Sequence, residues 1–118
     1  MVKPRDLARL RALAEMKRDA DLQDLSRIAS RMAALQTGID AIRASTRARE
    51  ADLALDPSRL SGADVTWQAS SAEMLRGLQR RQAGLAAARE AYLGAARRSF
   101  GRAEALRLLA ERLDKDRR

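Results

Sequence analysis

The chain has 118 residues, of which Ala, Leu, Arg, Glu and Lys supply 72, about 61%, more than the half that marks long helices and coiled coils. It contains no Cys and no His, which removes disulfides, thiolate–zinc sites, cysteine nucleophiles and the usual general base and metal ligand near neutral pH. Formal net charge is +8, uneven along the chain: residues 1–64 carry +2 and residues 65–118 carry +6.

The first helix is expected over about 5–55. Pro4 suits a first helical turn, and Asp6 is favourable near the positive end of the helix dipole. From Leu7 to Leu55 there is no Pro and a single Gly, Gly38. Leu25, Ile28, Met32, Leu35, Ile39, Ile42, Thr46, Arg49 and Leu53 step by three and four, an a/d heptad pattern that weakens at Thr46 and Arg49. Upstream, Leu7, Leu10, Leu13, Met16 and Ala20 form a second apolar stripe that does not join this register. A register shift is therefore expected near residues 20–25, where Asp19, Asp21 and Asp24 cluster.

A turn is expected over about 56–63. Asp56-Pro57 and Ser61-Gly62 are turn signals, and the residue before a proline is pushed out of helical geometry. One helix continuing through Pro57 would cost about 3 kcal/mol. Ser61 or Asp64 can cap a new helix by accepting the free N–H groups of its first turn.

The second helix is expected over about 64–115. Leu75, Leu78, Gln82, Leu85, Arg89, Tyr92, Ala96, Ser99, Ala103, Leu106, Ala110 and Leu113 alternate by three and four, with small and polar members in the middle. Each arm of about 50 residues would be about 75 Å long at 1.5 Å per residue. A short connection makes such arms antiparallel neighbours. The expected fold is all-α: one antiparallel two-helix coiled-coil hairpin over residues 1–118. The ring residues are Trp67, Tyr92 and Phe100, and a core so poor in rings suits a two-helix seam better than a globule.

Two features exceed a plain seam. Leu93 and Phe100, seven apart, widen the apolar stripe together with Tyr92 and Leu109; they either flank the core or receive a third element. Gly77 and Gly84 share one outward heptad position, and Gly94 and Gly101 share another. Each costs about 1 kcal/mol relative to Ala, and such glycines either loosen the arm or let another backbone approach closely.

No chemistry of a known site is spelled out. There is no phosphate-binding glycine loop, and the Ser, Asp and Glu residues lack a base to activate a nucleophile. The expectation is a non-enzymatic protein without metal or cofactor. Residues 74–102 hold seven Arg (76, 80, 81, 89, 97, 98, 102) against Glu90 alone, which fits either an acidic partner or a solvated face. Nucleic-acid binding ranks low, because no aromatic platform accompanies the arginines. No apolar run approaches the ~20 residues of a membrane span, and the charged N-terminus does not read as a secretory signal. The expected location is cytoplasmic.

The layout resembles the FliJ family of flagellar export proteins and its YscO-type relatives in type III secretion. After the turn, Ser61-Gly62-Ala63-Asp64-Val65-Thr66-Trp67 leads into Met74-Leu75-Arg76-Gly77-Leu78. This is similar to the family's loop, Trp and apolar pair followed by Leu, with Trp67 offset by a residue. The stretch Ala103 to Leu113 resembles the family's closing segment. The resemblance implies a central stalk of a hexameric export ATPase, with the paired chain ends entering the ring and the hairpin end reaching an export gate protein. It also implies handling of export chaperones and a place at the inner face of the cytoplasmic membrane through the export apparatus. On that reading Arg5, Arg9, Arg107 and Arg112 face the ring, and Trp67, Met74, Leu75 and Leu78 form the gate and chaperone contact. Trp67 packing on the first helix, and Met74 and Leu78 as ordinary core, are the plainer alternatives. A self-associating structural or adaptor coiled coil is the competing function.

Overall fold

The computed structural model describes residues 3–117. It is all-α, a two-helix hairpin built from α1 (Pro4–Ala51), a short α2 (Pro57–Ser61) and α3 (Ala63–Arg117). The chain divides into two compact units, one holding Met1–Ile28 and Ala88–Arg118, the other Ala29–Ala87. In each unit a stretch of α1 packs antiparallel on a stretch of α3.

In the second unit the expected seam is present. Ile39 is the most deeply buried large side chain, at 1% exposure. Met32, Leu35 and Ile42 on α1 and Leu75, Leu78, Gln82 and Leu85 on α3 are half-buried. Gln82 Nε2 donates to Gln36 Oε1 at 2.8 Å across the pair, and a Cβ on Gly38 would meet Leu78 Cδ1 at 3.3 Å. These cross-helix contacts fix the register. Arg89, expected in the seam, is exposed, and Ala88 turns inward in the first unit instead.

In the first unit the expected register shift does not occur. The inward positions of α1 are Leu7, Arg11, Ala14, Arg18, Asp21, Leu25 and Ile28. They step by four and three and continue the spacing of Met32 to Arg49. The apparent second stripe lies outside: Leu10, Leu13 and Met16 are 51%, 61% and 67% exposed. Hydrophobicity misleads here because the seam is filled by small and polar groups. Facing them on α3 are Ala96, Ser99 and Ala103, all buried. The hydroxyl of Ser99 donates to the Asp21 carboxylate, and Lys17 Nζ donates to the other carboxylate oxygen at 2.9 Å. A buried carboxylate is costly unless it is paired and hydrogen-bonded; these two donors meet that need.

The fold-back differs in detail from the expected turn. α1 ends at Ala51, before Leu55, and Leu53 and Leu55 are exposed. Asp52 Oδ1 accepts from Ala54 N, a local turn that competes with continued helix. Asp56, extended before Pro57 at φ −115°, caps α2 by accepting from Arg59 N. Asp56 caps this short helix and not the second arm, because Pro57 both forces it out of the helix and suits the first helical position behind it; of the residues expected to cap the second arm, Ser61 accepts at Oγ from Ala63 N at 3.4 Å and Asp64 lies inside the first turn of α3. Gly62 closes α2 at φ +83°, a left-handed conformation that glycine adopts without strain.

Candidate functional site

A dense polar cluster lies at the fold-back, in the second unit. Arg49 Nη1 and Nη2 grip both oxygens of Asp56, at 2.7 and 3.0 Å. Arg49 Nε donates to Asp64 Oδ1 at 2.6 Å, and Nη2 also donates to Ser58 Oγ at 2.8 Å. One guanidinium thus ties the last turn of α1 to α2 and to the first turn of α3. Its planar fork matches a carboxylate bidentately, which an ammonium cannot do. The carboxylate partners strengthen Arg49 as a cation, and the hydrogen bonds from Arg49, Ser58 and Arg59 hold the Asp56 carboxyl well below the usual carboxylate range. Arg59 answers in the opposite direction: its Nη2 donates at 2.8 Å to the carbonyl of Arg49, an acceptor that the end of α1 leaves open, and its Nη1 donates at 3.1 Å to that of Ala54 in the connection. Every carboxylate here is committed to structure, so the cluster locks a turn and offers no free acid or base.

Next to this lock lies a shallow groove lined by Ala41, Ile42, Ser45, Trp67, Ser71 and Met74. Trp67 is 39% exposed and Met74 59%. The four residues of the expected gate contact therefore divide. Trp67 and Met74 share an outer edge, whereas Leu75 and Leu78 are half-buried along the seam. Farther along the second unit, Arg31, Ala34, Leu35, Arg81, Gly84 and Leu85 line a second open groove of about 550 Å³.

The expected ring-facing arginines differ in their engagement. Arg5, Arg9 and Arg112 are exposed. Arg107 is engaged on its own helix by Glu104 and Glu111; the pairing lowers the Glu104 carboxyl from its ordinary range and strengthens Arg107 as a cation. A groove between the outer turns of α1 and α3 is lined instead by Pro4, Leu7, Arg11, Leu113 and Arg117, among others. The expected extra packing face is partly open: Tyr92, Phe100 and Leu109 are 40%, 48% and 39% exposed, and Leu93 is half-buried. Arg18 of α1 sits over the Phe100 ring, its guanidinium carbon 5.8 Å from the centroid, a cation–π contact that covers part of it.

Sequence reasoning missed Arg49, which reads as a flaw in the seam, and the Asp21–Ser99 pair, which reads as two more flaws. It also missed the pairing of Arg31 with Arg81 around one groove. The signal for the last was available: neither arginine has an acidic residue three or four positions away on its own helix.

Among the described residues no group of acidic side chains could hold a metal ion, and no helix is long and apolar enough to cross a membrane. No protein-family model, no curated protein and no solved structure matches the chain.

Proposed function

We propose that this chain is a non-enzymatic coiled-coil stalk of a type III or flagellar export ATPase, coupling a hexameric ring to an export gate protein and to export chaperones. The observation that carries the reading is the pairing of the outer turns of two helices: Leu7 in the first turn of α1 and Leu113 near the end of α3 line one groove. A shaft that seats its paired ends in a ring needs this arrangement. The cations Arg5, Arg9 and Arg112, in no ion pair among the described residues, flank those ends and suit an acidic ring lumen. In the second unit, the outer edge carrying Trp67 and Met74 suits contact with a gate protein or chaperone.

The test is reconstitution with the export ATPase and gate protein of the same genome. The expected result is binding to both and faster ATP hydrolysis by the ring. Trp67→Ala with Met74→Ala should abolish gate binding and leave the stimulation of hydrolysis. Absence of both binding and stimulation contradicts the reading.

The exposed Leu10, Leu13 and Met16 favour a second reading, an adaptor coiled coil that self-associates through the first unit, since contiguous exposed apolar groups mark interaction surfaces. Light scattering across a concentration series separates the two: a stable dimer supports the adaptor, and a monomer at all concentrations removes it.

A further inference from the structure

We infer that one edge of the second unit is a docking site for an acidic amphipathic helix of a partner protein. The inference rests on this unit alone and does not require the export-ATPase reading.

Trp67, Met74 and Arg81 are spaced by seven, and Gly77 and Gly84 are spaced by seven beside them. A spacing of seven returns to the same side of a helix in a coiled coil, so these residues run along one edge of α3. The two grooves of this unit open on that edge, one lined by Trp67 and Met74, the other by Arg81 and Gly84. From Trp67 to Gly84 the edge is about 25 Å long at 1.5 Å per residue, a fit for a helix of about five turns.

The second groove fixes the chemistry of the occupant. Its floor is apolar, from Ala34, Leu35, Gly84 and Leu85, and an arginine from each helix stands beside it. Arg31 and Arg81 are exposed and make no ion pair among the described residues. An occupant that presents apolar side chains to the floor and a carboxylate to each arginine matches both features. A nucleic acid would use the cations but gain nothing from the leucines, and its affinity grows with a run of phosphate contacts rather than two.

The glycines give an independent argument. Gly38 is accounted for within the chain, because a Cβ there would press on Leu78. Gly77 and Gly84 are not: a Cβ at either would meet nothing within 4 Å. Each weakens the helix and relieves no contact inside this chain. Bare backbone along a groove allows a second helix to approach closely, which Ala would hinder.

The single Trp of the chain lies on the proposed edge, so its emission reports on docking directly. The probe is a synthetic helical peptide of about 18 residues with a leucine stripe flanked by glutamates; the control carries lysine in place of every glutamate. The expected result is a saturable change in Trp67 emission with the glutamate peptide, weakening as salt is raised. Arg31→Glu with Arg81→Glu should weaken binding on the order of tenfold or more. Gly84→Ala should weaken binding while raising the melting temperature, an opposition that a purely structural glycine does not produce. Unchanged Trp67 emission, equal response to the lysine peptide, or undiminished binding by both variants overturns the inference. A random-sequence oligonucleotide that displaces the glutamate peptide and loses affinity in the arginine variant would reassign the edge to nucleic acid.

Discussion

Arg49, in the last turn of α1, and Asp56, seven residues on at the cap of α2, are joined by two parallel hydrogen bonds, from Nη1 to Oδ2 and from Nη2 to Oδ1. The same arginine reaches Asp64, so α1 is tied to both helical segments that follow it. The first prediction follows from this fork. Arg49→Lys should fail to rescue the turn, because one ammonium cannot hold Asp56 bidentately and reach Asp64. Amide hydrogen exchange over residues 57–66 should accelerate in Arg49→Lys nearly as much as in Arg49→Ala, while exchange around Ile28 stays unchanged. Full protection in the lysine variant would show that charge alone suffices.

The depressed Asp56 carboxyl sets a pH dependence. Its folded pKa lies below the unfolded value, so its contribution is fully present above the ordinary carboxylate range near pH 4. That contribution is lost as pH falls through the lower folded value. Asp21 behaves in the same sense, lowered first by the Ser99 hydroxyl and then by Lys17. The protein should therefore keep constant helicity from pH 8 to about 5 and unfold only in stronger acid. Ser99→Ala should move the acid midpoint upward, as followed by circular dichroism. A midpoint that does not move would show that the hydroxyl does not stabilise the carboxylate.

The position of the seam predicts which side chains matter. Ile39→Ala and Leu7→Ala, at sites 1% and 4% exposed, should each cost about 2–5 kcal/mol. Leu13→Ala and Met16→Ala, at exposed sites, should change stability by less than about 0.5 kcal/mol. Urea denaturation measures all four. Equal losses at Leu7 and Leu13 would restore the register shift that the stripe of leucines suggests.

These contrasts mark where the sequence was readable. From Leu25 to Ile42 the inward positions are also the apolar ones, so periodicity and burial coincide. From Arg11 to Asp21 they part: the seam holds Arg11, Ala14, Arg18 and Asp21, while Leu13 and Met16 face outward. Hydrophobic periodicity alone cannot find a seam whose partners are Ala96, Ser99 and Ala103. Helix ends were legible only to within a few residues, because the end of α1 depends on Asp52 and on Arg59 returning to the carbonyls of Arg49 and Ala54. Of the expected partner contacts, Met74 is grouped by sequence with Leu75 and Leu78, but it is 59% exposed and lies seven residues from Trp67 on the outer edge. The division from Leu75 and Leu78 follows from the same heptad arithmetic. The linkage of Arg49 with Asp64, fifteen residues away, has no periodic signature.

The glycines separate by conformation and space. Gly62→Ala should destabilise by about 1 kcal/mol or more, because its φ of +83° strains an L-residue. Gly84→Ala should stabilise by up to about 1 kcal/mol, since its Cβ enters open space. Gly38→Ala should gain less than Gly84→Ala, because Leu78 must give way. Thermal melts of the three variants check the order.

The account rests on two helices of one chain meeting antiparallel in a single register, and Gln36 with Gln82 report on it most directly. Their side chains are hydrogen-bonded at 2.8 Å, and the chain has no native Cys, so Gln36→Cys with Gln82→Cys gives a clean cross-linking pair. Oxidation of dilute protein should yield a monomer bridged within one chain, and moving the second cysteine to Gly84 should slow the reaction sharply. Bridges forming mainly between chains, or forming equally fast at both positions, would contradict the hairpin.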